Sequence, residues 1–274
     1  MSLKTLDLPI FLGSPVGACG HWGGQVYPAG TPRSGWLSWC SDTFNTVEGN
    51  SAFDALPKPA AIQRWAEQTA EEFRFALKFS RTISHDLQLG SLQAATQDFL
   101  SHIERLWAAG RLGPAFLQLG PWFCPNRFHV LAHFLMQLPR GFSWAVELRH
   151  VDWFDSGDHE KRVNAIFQRL EIDKVLFDSR PLFQSPPDDL IEKVLQERKS
   201  RTPVRKTVTG KHAILRLVGR NRVELTDRFM DQWAAIITGW VQRGVQLFFL
   251  YMHRMISARR RWRHACNPRC PRVI

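Results

Sequence analysis

Short apolar stretches alternate with longer amphipathic stretches along most of the chain, and this alternation restricts the possible fold more than any other feature. The short stretches have the length of strands, and the longer ones repeat their apolar residues at helical spacing. Strands that alternate with helices are typical of a parallel sheet covered by helices. The predicted strands are 9–12 or 16–19, 43–48, 73–78, 114–119, 144–149, 173–178, 212–217 and 245–252.

The amphipathic segments between these strands predict helices. In the segment 91–110, apolar residues such as Phe99 recur at helical spacing, and Ser91 is the predicted N-cap. Thr226 and Gly244 are the predicted start and stop signals of the last segment. The predicted helices are 59–72, 91–110, 126–138, 159–170, 188–199 and 226–244. Eight strands with helices between them, in about 250 residues, predict one α/β domain, a single (β/α)8 barrel of the TIM type.

The composition indicates a protein of a reducing compartment. An apolar content of 44% is typical of a globular protein, and no run reaches the roughly 18 apolar residues of a membrane helix. The five cysteines do not form the even framework of a disulfide-bonded secreted domain. We therefore expect a cytoplasmic protein without a membrane partner. The sequence carries no signature of an oligomeric state.

The net charge of +11 is concentrated at the C-terminal end of the chain. Residues 254–274 contain seven arginines and no acidic residue. Subtracting these seven charges from +11 leaves +4 for residues 1–253. We therefore divide the chain into a barrel domain, 1–253, and a basic tail, 254–274. The charge of the tail weakens the argument for a nucleic-acid partner of the folded domain.

Polar side chains end most of the apolar strands, at the edge where (β/α)8 barrels carry their sites. One polar residue at a strand end often marks only the entry to a loop, so the joint pattern is the stronger argument. Alternate residues of a strand share a face, and Glu147 and Arg149 are therefore predicted to point the same way. The residues at these ends are Glu48, Lys78, Gln118, Glu147, Arg149, Asp178, Arg216 and His253.

Carboxylates and one histidine near this edge are the candidate catalytic residues, because proton transfer requires a positioned group with a tuned pKa. They are Glu48, Glu147, Asp178 and His85. A structural role is the alternative interpretation. Arg149 beside Glu147 favours the ionised carboxylate, which would make this pair a bridge that is structural or orients the substrate.

The cations at the same edge indicate a small anionic or polar substrate, because guanidinium groups match carboxylate and phosphate oxygens. The candidate substrate-binding residues are Asn50, Lys78, Gln118, Arg149, His150, Arg180, Arg216 and His253. The alternative is that these cations pair internally with the carboxylates. His85 and His253 also suit a divalent metal, although neither belongs to an HxH or HxxxH pair. The sequences GxxxxGK[ST], GxGxxG and GxSxG are absent, so no nucleotide cofactor is indicated and a metal is left open.

A Pro-rich excursion separates the sixth and seventh predicted strands. It begins with SRPLFQSPPDD at residues 179–189 and ends with SRTPVRKTVTG at residues 200–210. This length predicts a helix flanked by loops. Two interpretations stay open, namely a surface insertion and a lid over the site.

Six ordered motifs resemble the YecE-like family, also called domain of unknown function 72, from about residue 10 to residue 253. They are FNTVEGNSAFDALP, RFALKFSRTISH, LGPAFLQLGPWF, WAVELRHVDWF, LFDSRPLF and FFLYMH. The resemblance implies a TIM-type barrel and no settled activity. The positions that match the family motifs are Glu48, Asn50, Lys78, His85, Gln118, Glu147, Arg149, His150, Asp178 and Arg180.

The tail departs from the family pattern. After YMHR the family typically continues with Pro-Asp-Asn, Ala-Pro and a last amphipathic helix, whereas this chain reads MISARRRWRHACNPRCPRVI. A one-nucleotide shift in a GC-rich coding sequence would convert MISARRRWRHAC into an ending close to the family's. Our hypothesis is that residues from about 255 onward are a frameshift product, so that the last helix is missing or altered. Sequencing the gene around codon 254 tests this, and an intact frame contradicts it.

Three functions are compatible with these observations. The first is a cytoplasmic enzyme, a hydrolase, isomerase or lyase, that acts on a small anionic or polar substrate. The second is a barrel that binds nucleic acid or cleaves phosphodiesters, by analogy of fold with metal-dependent DNA-repair endonucleases. The third is a non-catalytic interaction protein whose polar strand ends satisfy one another.

Overall fold

Eight parallel strands close into a barrel in the computed structural model, which describes residues 10–15, 22–24, 26–50, 53, 57–90 and 93–252. Each strand pairs with the next along the chain, and β8 pairs with β1. The strands are β1 (Ile10–Ser14), β2 (Thr46–Gly49), β3 (Arg74–Lys78), β4 (Leu112–Gln118), β5 (Trp144–Glu147), β6 (Asp173–Asp178), β7 (His212–Val218) and β8 (Gln246–Met252). The predicted (β/α)8 barrel is confirmed.

Helices surround the barrel. They are α1 (Trp36–Thr43), α2 (Pro59–Glu67), α3 (Gln93–Ala108), α4 (Phe128–Gln137), α5 (Asp158–Arg169), α6 (Arg180–Phe183), α7 (Leu190–Arg198) and α8 (Glu224–Gln242). A π-helical turn, Thr82–Asp86, follows β3. In the described part of the chain, no helix has the length and apolar character needed to cross a membrane.

The barrel interior is layered because alternate residues of each strand point inwards. An apolar layer is formed by Phe116, Ala145, Val175, Ile214 and Phe248. Two residues further along each of these strands, the same alternation builds the next layer from Gln118, Glu147, Phe177, Arg216 and Leu250. The interior therefore changes from apolar to partly polar towards the C-terminal ends of the strands.

Strand residues of the opposite parity point outwards and pack against the helices. Leu117 of β4 shares one buried cluster with Phe99 of α3, and Leu215 of β7 shares another with Trp233 of α8. Burial of such side chains contributes roughly 25 cal/mol per Å² of apolar surface. These outer clusters hold the helices in place and leave the C-terminal ends of the strands available for a site.

The start of α8 differs from the predicted one, whereas its stop is confirmed. The helix begins at Glu224 and not after Thr226. Thr226 is buried, and its hydroxyl accepts a hydrogen bond from the backbone N–H of Arg220 at 3.2 Å, so it fastens the preceding loop. Gly244 has a φ of +78°, the left-handed conformation in which glycine commonly ends a helix.

Four predictions fall on residues outside the described ranges. They are the alternative first strand 16–19, the N-cap Ser91, the site residue His253, and the tail 254–274 with its proposed frameshift. The division of the chain at residue 253 therefore stays a prediction.

The excursion after β6 packs back onto the barrel. It comprises α6, α7 and a segment without regular secondary structure that reaches Gly210. Arg220, buried after β7, holds this excursion through the carboxylate of Glu192 at 2.7 Å and the hydroxyl of Ser185 at 2.6 Å. The excursion is thereby fixed to the C-terminal side of the barrel, where it adds residues to the site described below.

Candidate active site at the C-terminal mouth of the barrel

Arg216 joins two glutamates in the centre of the barrel. Its Nε and Nη2 donate to the two carboxylate oxygens of Glu48 at 3.1 and 3.0 Å, and its Nη1 donates to Glu147. Gln118 donates from Nε2 to the other oxygen of Glu147 at 2.7 Å. The side chain of Arg216 is 3% exposed and those of the glutamates 1% each. Strands β2, β5 and β7 thus build one buried ionic triad, Glu48–Arg216–Glu147.

Burial makes the members of the ionic triad depend on one another, because an isolated charge in the interior is strongly unfavourable. Burial raises the pKa of Glu147, but the charges of Arg216 and Arg149 outweigh it and hold this pKa below its ordinary value. Burial also opposes the charge of Arg216, yet the two glutamates raise its pKa. A carboxylate held ionised in this way is a weak proton donor, so the geometry favours the bridging interpretation of Glu147.

Lys78, the last residue of β3, has a buried ammonium group. The residue is 8% exposed, and its Nζ lies 3.6 Å from the centroid of the Phe53 ring. No carboxylate oxygen of the described residues forms an ion pair with it, in contrast to Arg216. Burial, followed by the charge of Arg216, lowers the pKa of Lys78 to about 8, against the opposing charges of Glu48 and Glu147. An amine with this pKa exchanges protons readily near neutral pH.

Lys199 brings a further cation to the same place. It follows α7, and its Nζ lies 3.6 Å from the Sδ of Met252. The Nη2 of Arg216 lies 3.9 Å from the same sulfur, so the excursion reaches the ionic triad. Burial and the charge of Arg216 lower the pKa of Lys199, and Lys199 in turn contributes to the lowered pKa of Lys78.

Arg149 connects the site to the excursion. Its Nε donates to the Oγ of Ser200 at 2.7 Å, and its Nη2 donates to the carbonyl oxygen of Arg198 at 3.0 Å. These bonds fix the backbone on both sides of Lys199. Glu147 and Arg149 interact electrostatically, as expected for two residues on one face of a strand.

Positive charge exceeds negative charge among the described residues of this mouth. The cations are Lys78, Arg149, Lys199 and Arg216, and the carboxylates are Glu48 and Glu147. Clustered charges of one sign raise the local concentration of ions of the opposite sign. The mouth is therefore suited to an anionic ligand.

A row of aromatic rings connects Lys78 to the surface. Phe53 contacts His85 edge-on with centroids 5.4 Å apart, and His85 contacts Trp122, also at 5.4 Å. Trp122 is 48% exposed, and Gly120 permits its position because a Cβ there would lie 2.5 Å from the indole. Burial and the neighbouring cations lower the pKa of His85, so its imidazole is neutral at neutral pH.

Asp178 and Arg180, predicted as a catalytic and a substrate-binding residue, do not join this cluster. Asp178 is buried and accepts a hydrogen bond from the Nε1 of Trp233 in α8 at 2.8 Å. Arg180 pairs with Asp178 at 2.8 Å and lies over the ring of Phe229. The reason is the strand pleat, because Phe177 points into the barrel and its neighbour Asp178 points towards the helices.

Asn50 and His150 make local contacts at the edge of the mouth. The Nδ2 of Asn50 donates to the carbonyl oxygen of Pro15 at 2.6 Å and so fastens the end of β1 to the loop after β2. The Nδ1 of His150 accepts from the backbone N–H of Asp152 at 3.3 Å, at the start of a short 3-10 turn. His253 lies outside the described residues.

The structure therefore unites seven of the predicted site residues and adds two that the sequence did not single out. The seven are Glu48, Lys78, His85, Gln118, Glu147, Arg149 and Arg216. Phe53 lies in the motif FNTVEGNSAFDALP, but neither Phe53 nor Lys199 ends a strand. In the sequence, only the interpretation of the excursion as a lid indicated that Lys199 could reach the site.

The groups available at the mouth are mainly nitrogen donors, which match the oxygens of anions. Among residues 10–252, as far as they are described, no three His, Cys, Asp or Glu side chains lie close enough to hold a metal ion.

Comparisons with known proteins place this geometry in a family. The chain matches the family model described as protein of unknown function DUF72 over residues 13–261. The UPF0759 protein YecE of Escherichia coli strain K12 is 34% identical over 208 residues, which cover 76% of each chain. The UPF0759 protein YecE of Escherichia coli O157:H7 shows the same identity and coverage.

Two solved structures support the fold. A DUF72 family protein from Enterococcus faecalis V583 has a TM-score of 0.67 at 15% identity, with 95% of this chain and 96% of that chain covered. A DUF72 family protein from Thermotoga maritima MSB8 has a TM-score of 0.66 at 19% identity, with coverages of 89% and 92%. At these identities the likeness concerns the barrel alone.

Proposed function

The chain belongs to the DUF72 family, and we propose that this member is an enzyme that binds a small anionic substrate at the C-terminal mouth of its barrel. The observation that carries the proposal is Lys78, a residue that is 8% exposed and whose ammonium group has no ion-pair partner among the described residues. The charges of Glu48 and Glu147 raise the pKa of Lys78 but do not outweigh burial and Arg216, so a ligand that brings negative charge to its Nζ would stabilise the ammonium group.

We propose that the ligand is contacted by the three cations of the mouth that do not belong to the ionic triad. Lys78 reaches the ligand from β3, Lys199 from the excursion and Arg149 from the end of β5. The ionic triad forms a fixed floor, because Arg216 is fully engaged by its two glutamates. Burial restricts the ligand to a small molecule, and the pKa of Lys78, about 8, makes this amine the group best suited to exchange a proton with it.

The proposal is tested by the binding of inorganic phosphate to the full chain, measured by thermal shift and by calorimetry. Ligands that bind the native state raise its melting temperature. Losing one charge-assisted hydrogen bond costs about 1.5–3 kcal/mol, so Lys78→Gln should weaken phosphate binding by roughly 10- to 100-fold. A wider panel of phosphorylated and carboxylated metabolites then identifies the preferred anion.

Lys211→Gln is the matched control for this experiment. Lys211 lies at the opposite end of β7, its side chain is 70% exposed, and it pairs with Glu171 at 3.0 Å. Equal phosphate binding by the two variants would refute the assignment of Lys78. A short single-stranded oligonucleotide that binds more tightly than phosphate, with steep salt dependence, would favour the nucleic-acid function instead.

A non-catalytic interaction protein is the second candidate, and the ionic triad is the observation in its favour. Glu48, Glu147 and Arg216 satisfy one another, as a structural network would. If the protein has this second function, no small anion should bind at the mouth. The phosphate measurement therefore distinguishes the two functions.

A further inference from the structure

Two buried lysines of this barrel have different surroundings, and the difference is informative. Lys174 is 2% exposed, and its Nζ lies 3.3 Å from Glu160 and 3.0 Å from the Oδ1 of Asn164. Lys78 is also buried, but its Nζ lies over the ring of Phe53 and forms no ion pair with a described carboxylate, and Glu48 and Glu147 act on it through their charges alone. The amine of Lys174 is held by its partners, whereas the amine of Lys78 is available for reaction.

The surroundings of Lys78 are those of a nucleophilic amine. Desolvation and a neighbouring cation are the two features that leave a lysine unprotonated and reactive. Lys78 has both, because it is buried and lies close to Arg216 and Lys199. The row of rings from Phe53 to the exposed Trp122 leads from this amine to solvent.

We propose, on the premise that the mouth binds a small anion, that Lys78 forms an imine with a substrate that carries a carbonyl group beside its negative charge. The substrate class is therefore a 2-oxo acid or a phosphorylated aldehyde or ketone. Lys199 and Arg149 hold the carboxylate or phosphate, and this places the carbonyl carbon at the Nζ of Lys78.

The step balances without any further reagent. The neutral Nζ attacks the carbonyl carbon, and the π electrons move to the carbonyl oxygen. A proton passes from nitrogen to that oxygen and gives a carbinolamine. Its hydroxyl leaves as water after taking one proton from solvent, and the nitrogen lone pair forms the protonated C=N bond. The positive imine nitrogen replaces the ammonium charge, so the surrounding electrostatics change little.

The lowered pKa of Lys78 also supports its role as a nucleophile. A pKa of about 8 leaves about a tenth of the amine neutral at pH 7, which is roughly 200-fold more than in an unperturbed lysine. Modification of Lys78 should therefore precede that of exposed lysines, and its rate should rise with pH to a plateau, with half of the maximum near pH 8.

Reductive trapping tests the proposal with the full chain. The protein is incubated with glyoxylate and sodium cyanoborohydride at pH 7, and the modified lysine is identified by peptide mass mapping. We expect carboxymethylation at Lys78 first, with Lys174 unmodified. Modification spread over exposed lysines, with Lys78 untouched, would overturn the proposal.

Two further experiments test imine formation and anion binding independently of each other. Lys78→Arg keeps the positive charge but forms no stable imine, so it should lose the preferred modification while binding phosphate more tightly than Lys78→Gln does. Inorganic phosphate should slow trapping in the wild-type protein. Phosphate binding without trapping at Lys78 contradicts the imine alone, whereas trapping that phosphate does not slow contradicts the anion site.

Discussion

Replacing Arg216 with methionine should lower the free energy of unfolding by about 3–5 kcal/mol, because it leaves two buried carboxylates without their cation. Glu48 and Glu147 each have a side chain that is 1% exposed, so water cannot take over the role of the guanidinium. Urea denaturation at pH 7 measures this loss as a lower midpoint with an unchanged m-value. Lowering the pH should narrow the gap to the wild type. Arg216 holds the pKa of Glu147 below its ordinary value, and the stability that this gives the wild type is lost as the pH falls.

Arg222→Met is the matched control for this prediction. The side chain of Arg222 is 56% exposed and pairs with Asp188 at 2.9 Å, so its removal should change the free energy of unfolding little. Adding Glu48→Gln and Glu147→Gln to Arg216→Met should recover part of the lost stability. If Arg216→Met costs no more than Arg222→Met, the ionic triad does not hold the barrel together as described.

Replacing Lys78 with methionine should have the opposite effect on stability and raise the free energy of unfolding by about 3 kcal/mol at pH 7. The pKa of Lys78 is about 8 in the folded protein and 10.5 for an unperturbed lysine, so folding disfavours its charged form. This penalty is fully present below pH 8, decreases as the pH rises towards 10.5, and vanishes above it. The variant should therefore exceed the wild type in stability most at pH 7 and least at high pH.

Urea denaturation of both proteins at pH 7 and at high pH measures this difference, with Lys211→Met as the control that changes neither value. A variant that is less stable than the wild type at pH 7 would show that Lys78 is a structural residue. A Lys78 variant that is more stable than the wild type but no longer binds phosphate would show that Lys78 serves function and lowers the stability of the fold.

The fold could be predicted from the sequence because strand and helix periodicities differ and each strand is short. The direction of individual side chains was harder to predict. Strands of a parallel sheet are buried on both faces, so their sequences do not show which face lies inside. In β6, Phe177 and Asp178 are both buried, and only the barrel itself determines that Phe177 faces the interior and Asp178 faces Trp233.

The site could be predicted in part, for the same physical reason. Glu147 and Arg216 end their strands, and this position alone brings them to one mouth. Lys199 ends no strand, and its place depends on contacts that join distant parts of the chain. Arg220 holds the excursion by Glu192, and Arg149 holds the backbone beside Lys199. Such contacts leave no local pattern in the sequence.

The titration of Lys78 tests the central claim most directly, namely that a buried amine at the mouth awaits an anion. Isotope-labelled lysine side chains are followed by NMR across pH, and the Lys78 signal is assigned by its loss in Lys78→Arg. We expect a midpoint near pH 8 that moves upwards when phosphate is added, because a bound anion favours the charged ammonium. A midpoint at the ordinary lysine value of about 10.4, unmoved by phosphate, would contradict the claim.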